Sequence, residues 1–356
     1  MAWAQPAFSR VEVDTAGRLL AEVLGDAQAA LESLEVDHAL DVVSNWRSSH
    51  SFPLNTFQLT LRKRARDVEG HPLVAQRLKR LPSMLFKLQR FPTMKLSQMQ
   101  DIGGCRAILR SVAKVKELRD AYAGRRFKHL LVREKNYVAE PKESGYRGIH
   151  LVYRYASDRK TTYNGLQIEM QLRSRIQHAW ATAVETAGVF LEQSLKSSQG
   201  SEEWLRFFAM TSSAFAILER APTVPNTASK RSELKTWIAE RSKRLNVVST
   251  LSAYRMALSV TEEPAHAGSY YFVLALKPGE SSLTVRSYRA HELPRATRDY
   301  LETEKQLATQ PGAQTVLVAA GSLEALRRAY PNYYLDAEVF LGYLSRVVGQ
   351  AGRSPQ

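Results

Sequence analysis

Residues 168–173 read Ile168-Glu169-Met170-Gln171-Leu172-Arg173, a strict alternation of apolar and polar side chains. In an extended strand, successive side chains point to opposite faces. Ile168, Met170 and Leu172 therefore face a core, while Glu169, Gln171 and Arg173 share the other face. That polar face is where chemistry can sit. Short apolar runs at 104–110, 130–132, 149–155 and 166–172 read as the neighbouring strands of a mixed sheet.

Outward from the sheet the texture is helical. Upstream, apolar residues recur at three and four over 13–35, a second helix follows at 39–47, and a third stretch carries Arg62, Lys63, Arg64 and Arg66. Residues 73–89 keep helical spacing, interrupted by Pro82. Downstream, helical periodicity covers 175–219. The run Ala-Pro-Thr-Val-Pro-Asn-Thr-Ala-Ser at 221–229 then reads as a linker, followed by a basic helix at 232–245. Strands at 254–261, 269–276, 283–288 and 315–319, with helices at 323–329 and 336–347, complete a smaller unit. The fold class expected is α+β: a mixed sheet flanked by helices in residues 1–220, a linker and basic helix at 221–250, and a small α+β domain at 251–350.

Composition narrows the partners. The 356 residues hold 50 Lys+Arg against 35 Asp+Glu, a formal net charge of +15 that favours polyphosphate or nucleic acid. Part of the excess is clustered at 62–66, as on a binding face. A single cysteine, Cys105, excludes an internal disulfide and a thiolate-built zinc site, and fits a reducing compartment. With neither a leader pattern nor an apolar run of about 18 residues, a cytoplasmic protein without membrane contact is expected.

Four segments place charged groups in apolar surroundings. Arg77-Leu-Lys79-Arg80-Leu-Pro-Ser83-Met-Leu-Phe-Lys87 sets Lys87 one turn after Ser83, a spacing that can wrap a triphosphate; it is equally the pattern of a solvated basic helix. Asp101-Ile-Gly-Gly104-Cys-Arg106 puts a carboxylate at the mouth of a strand, fit for Mg²⁺ or for capping a turn. The loop at 136–150 carries Lys142, Tyr146 and His150, which suit an acceptor nucleotide with its base on Tyr146; a tyrosine anchored in the core is the alternative. Glu169, with Gln171 and Arg173 on the same face, can share a metal with Asp101 and take a proton.

In order and spacing these segments resemble the RelA/SpoT synthetase domain, over roughly residues 40 to 200. The matching positions are Arg77/Lys79/Ser83/Lys87, Asp101/Gly104/Arg106, Tyr137/Pro141/Lys142/Gly145/Tyr146/His150 and Glu169/Gln171/Arg173/Ser174. The resemblance implies a nucleotidyltransferase-like fold. It also implies ATP adenine between Arg77 and Arg106, phosphates on Lys79, Ser83 and Lys87, Mg²⁺ on Asp101 and Glu169, and an acceptor at Lys142, Tyr146, His150, Gln171 and Arg173. Asn136 stands where that family usually has Asp.

The acceptor is free GDP or GTP in the alarmone-making branch and the tRNA 3′ end in a toxic branch. Net charge, the Arg62, Lys63, Arg64 and Arg66 cluster and the stretch around Asn45-Trp46-Arg47 favour tRNA. Tyr330 and Tyr333, in Tyr-Pro-Asn-Tyr, resemble the fused toxin–antitoxin members called CapRel. The implication is a pseudo-zinc-finger domain that restrains the enzyme until a phage protein is sensed. A catalytically idle RNA-binding protein is the rival of another class.

Overall fold

The alternation at 168–173 lies in a strand at the centre of a five-stranded sheet. The computed structural model describes residues 3–25, 34–123, 127–194, 201–248, 250–252, 268–277, 282–307, 314–319 and 333–349. The chain packs as two units, residues 1–137 with 148–174, and residues 138–147 with 175–356.

The first unit contains helices α1 (Arg10–Gly25), α2 (Leu34–Ser49), α3 (Ser51–Val68), α4 (Leu81–Arg90) and α5 (Val112–Ala123). Its strands are β1 (Leu73–Leu78), β2 (Gly103–Leu109), β3 (Leu130–Asn136), β4 (Ile149–Arg154) and β5 (Gln167–Ser174). Their order is β1-β2-β5-β4-β3, and only β2 and β5 run parallel, so the sheet is mixed as expected. Cys105, Ala107 and Leu109, Ile149, Leu151 and Tyr153, and Ile168, Met170 and Leu172 form its buried face. Helices α3 and α5 cover that face: the rings of Phe57 and Tyr122 lie 5.9 and 6.2 Å from that of Tyr153. The polar face lies on the other side.

The helical spacing over 73–89 does not hold throughout. Residues 73–78 form a strand rather than the start of a helix, because pairing with β2 gives their backbone groups a ladder. Pro82 does not interrupt α4 but begins it, standing in the first turn, where no N–H is needed, after Arg80 in an extended conformation. Helix α5 and the helix Leu293–Leu307 are elements that the sequence reading leaves unassigned. The strand expected at 254–261 and the helix at 323–329 lie outside the described residues.

The second unit holds α6 (Arg175–Ser194), α7 (Ser201–Leu218) and α8 (Arg231–Arg244). An antiparallel sheet follows, ordered β7-β6-β8, from β6 (Tyr271–Lys277), β7 (Ser282–Tyr288) and β8 (Gln314–Ala319), with helices Leu293–Leu307 and Tyr333–Val348. Trp180, Phe208, Phe215, Ile238, Phe272 and Phe340 belong to one apolar core. Packing therefore does not divide at 221–229. Val224 is buried and its N–H donates to Ser213 Oγ at 2.8 Å, while Ser213 and Thr227 hydroxyls meet at 2.6 Å. The polar side chains that make this segment read as a linker strap it to α7 instead.

Candidate active site

Strand register sets the site's floor. Across the sheet Arg77 stands opposite Gly104 and Gly104 opposite Glu169; two residues further along, Arg106 pairs with Gln171, Gln171 with His150, and His150 with Lys135. Because side chains two apart share a face, all of these polar groups lie on one side. Among the described residues a Cβ at Gly104 would meet nothing nearer than 3.9 Å, so the glycine adds no side chain to the floor beside the two arginines.

At one end of this floor Asp101 is clamped by two ammonium groups. Lys79 Nζ donates to Oδ2 at 2.8 Å and Lys87 Nζ to Oδ1 at 2.9 Å. Lys79 is placed by a backbone bond that continues the β1 ladder, its N–H to the Ile102 carbonyl at 2.7 Å. Its own carbonyl accepts from Arg47 Nε at 2.6 Å. Lys87 arrives from α4, whose Met84, Leu85 and Leu88 are buried and so fix the helix's rotation. Burial pushes the Asp101 carboxyl up, but Lys79 and then Lys87 outweigh it and hold the group below its ordinary range.

Glu169 anchors a second chain of bonds. His150 Nδ1 lies 2.7 Å from Oε1, Gln171 Nε2 donates to Oε2 at 2.8 Å, and Arg173 Nη2 donates to Gln171 Oε1 at 3.2 Å. Burial raises the Glu169 carboxyl; the bond from His150 and that from Gln171 overcome it and hold the group low. An ionised carboxylate only accepts, so Nδ1 carries the imidazole proton. Tyr137 packs edge-on against His150, ring centroids 5.4 Å apart. Asp101 acts on Glu169 as a neighbouring like charge.

Two hard oxygen donors with lone pairs beyond those the cations occupy suit Mg²⁺, which takes one or two carboxylates and completes its shell with water and phosphate. The donor set therefore fits a magnesium ion shared with a nucleotide. Among the described residues there is no cluster of three or more acidic, His or Cys side chains that would hold a metal without one.

The structure thus brings together Arg77, Lys79, Lys87, Asp101, Arg106, His150, Glu169, Gln171 and Arg173 in one unit, with Ser83 one turn before Lys87 on α4. Lys142 and Tyr146 belong to the other unit. Lys142 Nζ lies 5.3 Å from the centre of the Tyr146 ring, which is half-buried against that unit's core. The basic cluster is not gathered at the site. It lies on α3, behind the sheet's apolar face, near the helix end where Glu69 accepts from the Arg110 N–H. Arg64 is spent internally, 4.3 Å over the Tyr122 ring and bonded to the Ala121 carbonyl, while Arg62, Lys63 and Arg66 are exposed. Tyr330 lies outside the described residues, and Tyr333 opens the C-terminal helix. A cleft of about 510 Å³ lined by Asp14, Arg18, Leu88 and Lys95 contains none of the candidate residues.

Sequence reasoning counts Arg47 only within a stretch that favours tRNA and Arg147 only among the exposed bases of the loop; the structure instead turns Arg47 to the Lys79 carbonyl and buries Arg147 against Ser212 and the Pro222 carbonyl, partners that leave no mark in a sequence.

Known proteins resemble parts of the chain. GTP pyrophosphokinase YjbM of Bacillus subtilis (strain 168) is 32% identical over 111 residues, a match covering 31% of this chain and about half, 52%, of that relative's length. Among solved structures, a GTP pyrophosphokinase family protein from Streptococcus pneumoniae aligns at 22% identity and TM-score 0.42, covering 52% of this chain and 92% of that one. Small alarmone synthetase 1 from Bacillus subtilis bound to AMPCPP aligns at 19% identity and TM-score 0.38, covering 54% and 94%. Residues 76–190, from the strand of Arg77 through the helix that follows Glu169, match the model of the region found in RelA and SpoT proteins.

Proposed function

We propose that this chain is a pyrophosphokinase of the RelA/SpoT type, which moves the β,γ-pyrophosphate of ATP to a ribose hydroxyl of an acceptor nucleotide. The observation that carries this reading is a pair of ionised carboxylates in one site: Asp101 between Lys79 and Lys87, and Glu169 on His150 and Gln171. Arg77 and Arg106 flank Gly104, which adds no side chain to the floor, and would take the adenine by stacking. Lys79, Ser83 and Lys87 grip the phosphates, the two lysines exchanging Asp101 for phosphoryl oxygens as ATP enters. Asp101 and Glu169 would then hold Mg²⁺, which neutralises phosphate charge when bound.

Transfer balances as one displacement. The acceptor's oxygen bonds to the β-phosphorus and the bond from that phosphorus to the α–β bridging oxygen breaks. AMP leaves with the electron pair, and the hydroxyl proton passes to Glu169. Catalysis is mostly positioning.

As acceptor the reading favours a free guanine nucleotide, supported by likeness to a relative named a GTP pyrophosphokinase. Lys142, Tyr146, His150, Gln171 and Arg173 are its acceptor-side residues. The net charge of +15 supports the tRNA 3′ end as a second reading. Incubation with γ-labelled ATP and, separately, GDP, GTP and bulk tRNA decides: label in a guanine nucleotide is expected, label in tRNA transfers the case to the second reading, and no transfer to any acceptor defeats both. Restraint by the C-terminal region, relieved by a phage protein as in CapRel, rests on Tyr330 and Tyr333 in the sequence. A folded Tyr330→Ala, Tyr333→Ala protein should turn over faster than the parent, and equal rates would remove that reading.

A further inference from the structure

Within the loop 138–147, which carries Lys142 and Tyr146, the Gly145 N–H donates to the Lys142 carbonyl at 2.8 Å and the Lys142 N–H to the Tyr146 carbonyl at 3.3 Å. A buried arginine fastens it. Arg147 is 3% exposed; its Nε donates to Ser212 Oγ at 3.2 Å and its Nη2 to the Pro222 carbonyl. The same Ser212 hydroxyl donates to the Gly145 carbonyl at 2.6 Å. One serine on α7 thereby holds the residues on both sides of Tyr146.

Gly145 makes this close seat possible. It adopts φ +91°, and a Cβ there would come within 2.8 Å of Trp180 and 3.1 Å of the Ala209 backbone. Behind the guanidinium, Glu219 and Gln177 line a void of about 10 Å³, room for no more than one water. Arg147 therefore serves the loop rather than a ligand of its own. Burial pulls its ionisation down to about 10 and the charge of Glu219 offsets part of that. The forked guanidinium reaches two acceptors at once, which an ammonium on a single stem does not.

We infer that Arg147 is a positioning residue for the acceptor, fixing the backbone on either side of Tyr146 by clasping the loop to Ser212 and to the Pro222 carbonyl. The inference rests on the reading of this loop as the acceptor's seat. It gives the segment 221–229 a task, since Pro222 belongs to it.

The test uses the full chain with Arg147→Met, Arg147→Lys and, as the milder change, Ser212→Ala. In each, the acceptor KM should rise about tenfold, with kcat and the affinity for a non-hydrolysable ATP analogue within about twofold. Amide exchange at Lys142 and Gly145 should accelerate by a similar factor while the five-stranded sheet keeps its protection. Arg147→Lys should not rescue. Unchanged exchange at those amides, or acceptor and ATP affinities falling together, overturns the clasp. Faster exchange with an unaltered acceptor KM overturns the positioning role alone. Wild-type protein that transfers to no acceptor overturns the pyrophosphokinase reading and the acceptor role with it.

Discussion

Asp101 stands between two ammonium groups that the proposed reaction needs elsewhere, so on that proposal its charge would have two duties: holding Lys79 and Lys87 ready, and then serving a magnesium ion. Asp101→Asn and Glu169→Gln should each lower kcat about a thousandfold or more, since on the proposed mechanism each removes a charged ligand of the ion that would neutralise the transferring phosphates. A loss of only about tenfold in a folded variant counts against the roles of both carboxylates. Acid should expose the same groups. Both carboxyls are held below their ordinary values, so the stability they contribute is complete above the ordinary range and is lost as pH falls through the depressed values. The thermal midpoint should therefore fall steeply below about pH 4, and less steeply in Asp101→Asn. Equal slopes would show that the clamp is absent in solution. At this scale the sequence was most legible where chemistry is carried by residue type: two carboxylates and two lysines at telling spacing. The internal partners of Arg47 and Arg147, the Lys79 and Pro222 carbonyls and the Ser212 hydroxyl, were not legible, because pairing across 32 to 75 residues leaves no local pattern.

Helix α3 removes one residue, Arg64, from the basic patch read from charge alone. Arg62, Lys63 and Arg66 fall on one exposed face of the helix, but at about 100° per residue Arg64 turns away from them, onto Tyr122 and Phe127. Arg64→Ala should destabilise the fold by about 1 kcal/mol, seen as a lower urea midpoint, and leave the salt dependence of turnover unchanged. Replacing Arg62, Lys63 and Arg66 together should leave the urea midpoint where it is. A flatter salt dependence in that triple variant would favour tRNA. Gly145→Ala forces a side chain into the left-handed region and against Trp180. A loss of about 1–3 kcal/mol in urea unfolding is expected, and a neutral result would mean that the loop is not seated against Trp180. Strand β5 was legible because alternation has one structural meaning. Strand β1 was not: the spacing of Leu73, Val74 and Leu78 satisfies a helix as well, and only pairing with β2 decides.

Over the whole molecule the net charge of +15 speaks for a polyanionic partner without saying which. Four of the five strands of the sheet were foreseeable from their apolar runs, whereas the packing of α6 and α7 with the C-terminal helix was not, since apolar periodicity says that a helix has a buried face and not what buries it. What separates a pyrophosphokinase from every ordinary kinase or ATPase is the bond of ATP that breaks. Phosphorus NMR of the full chain with ATP, Mg²⁺ and GDP or GTP follows that bond directly. The predicted result is AMP in equal amount to a nucleotide bearing a new pyrophosphate on its ribose, and neither product with Asp101→Asn. Formation of ADP and inorganic phosphate, or of a singly phosphorylated acceptor, would contradict it.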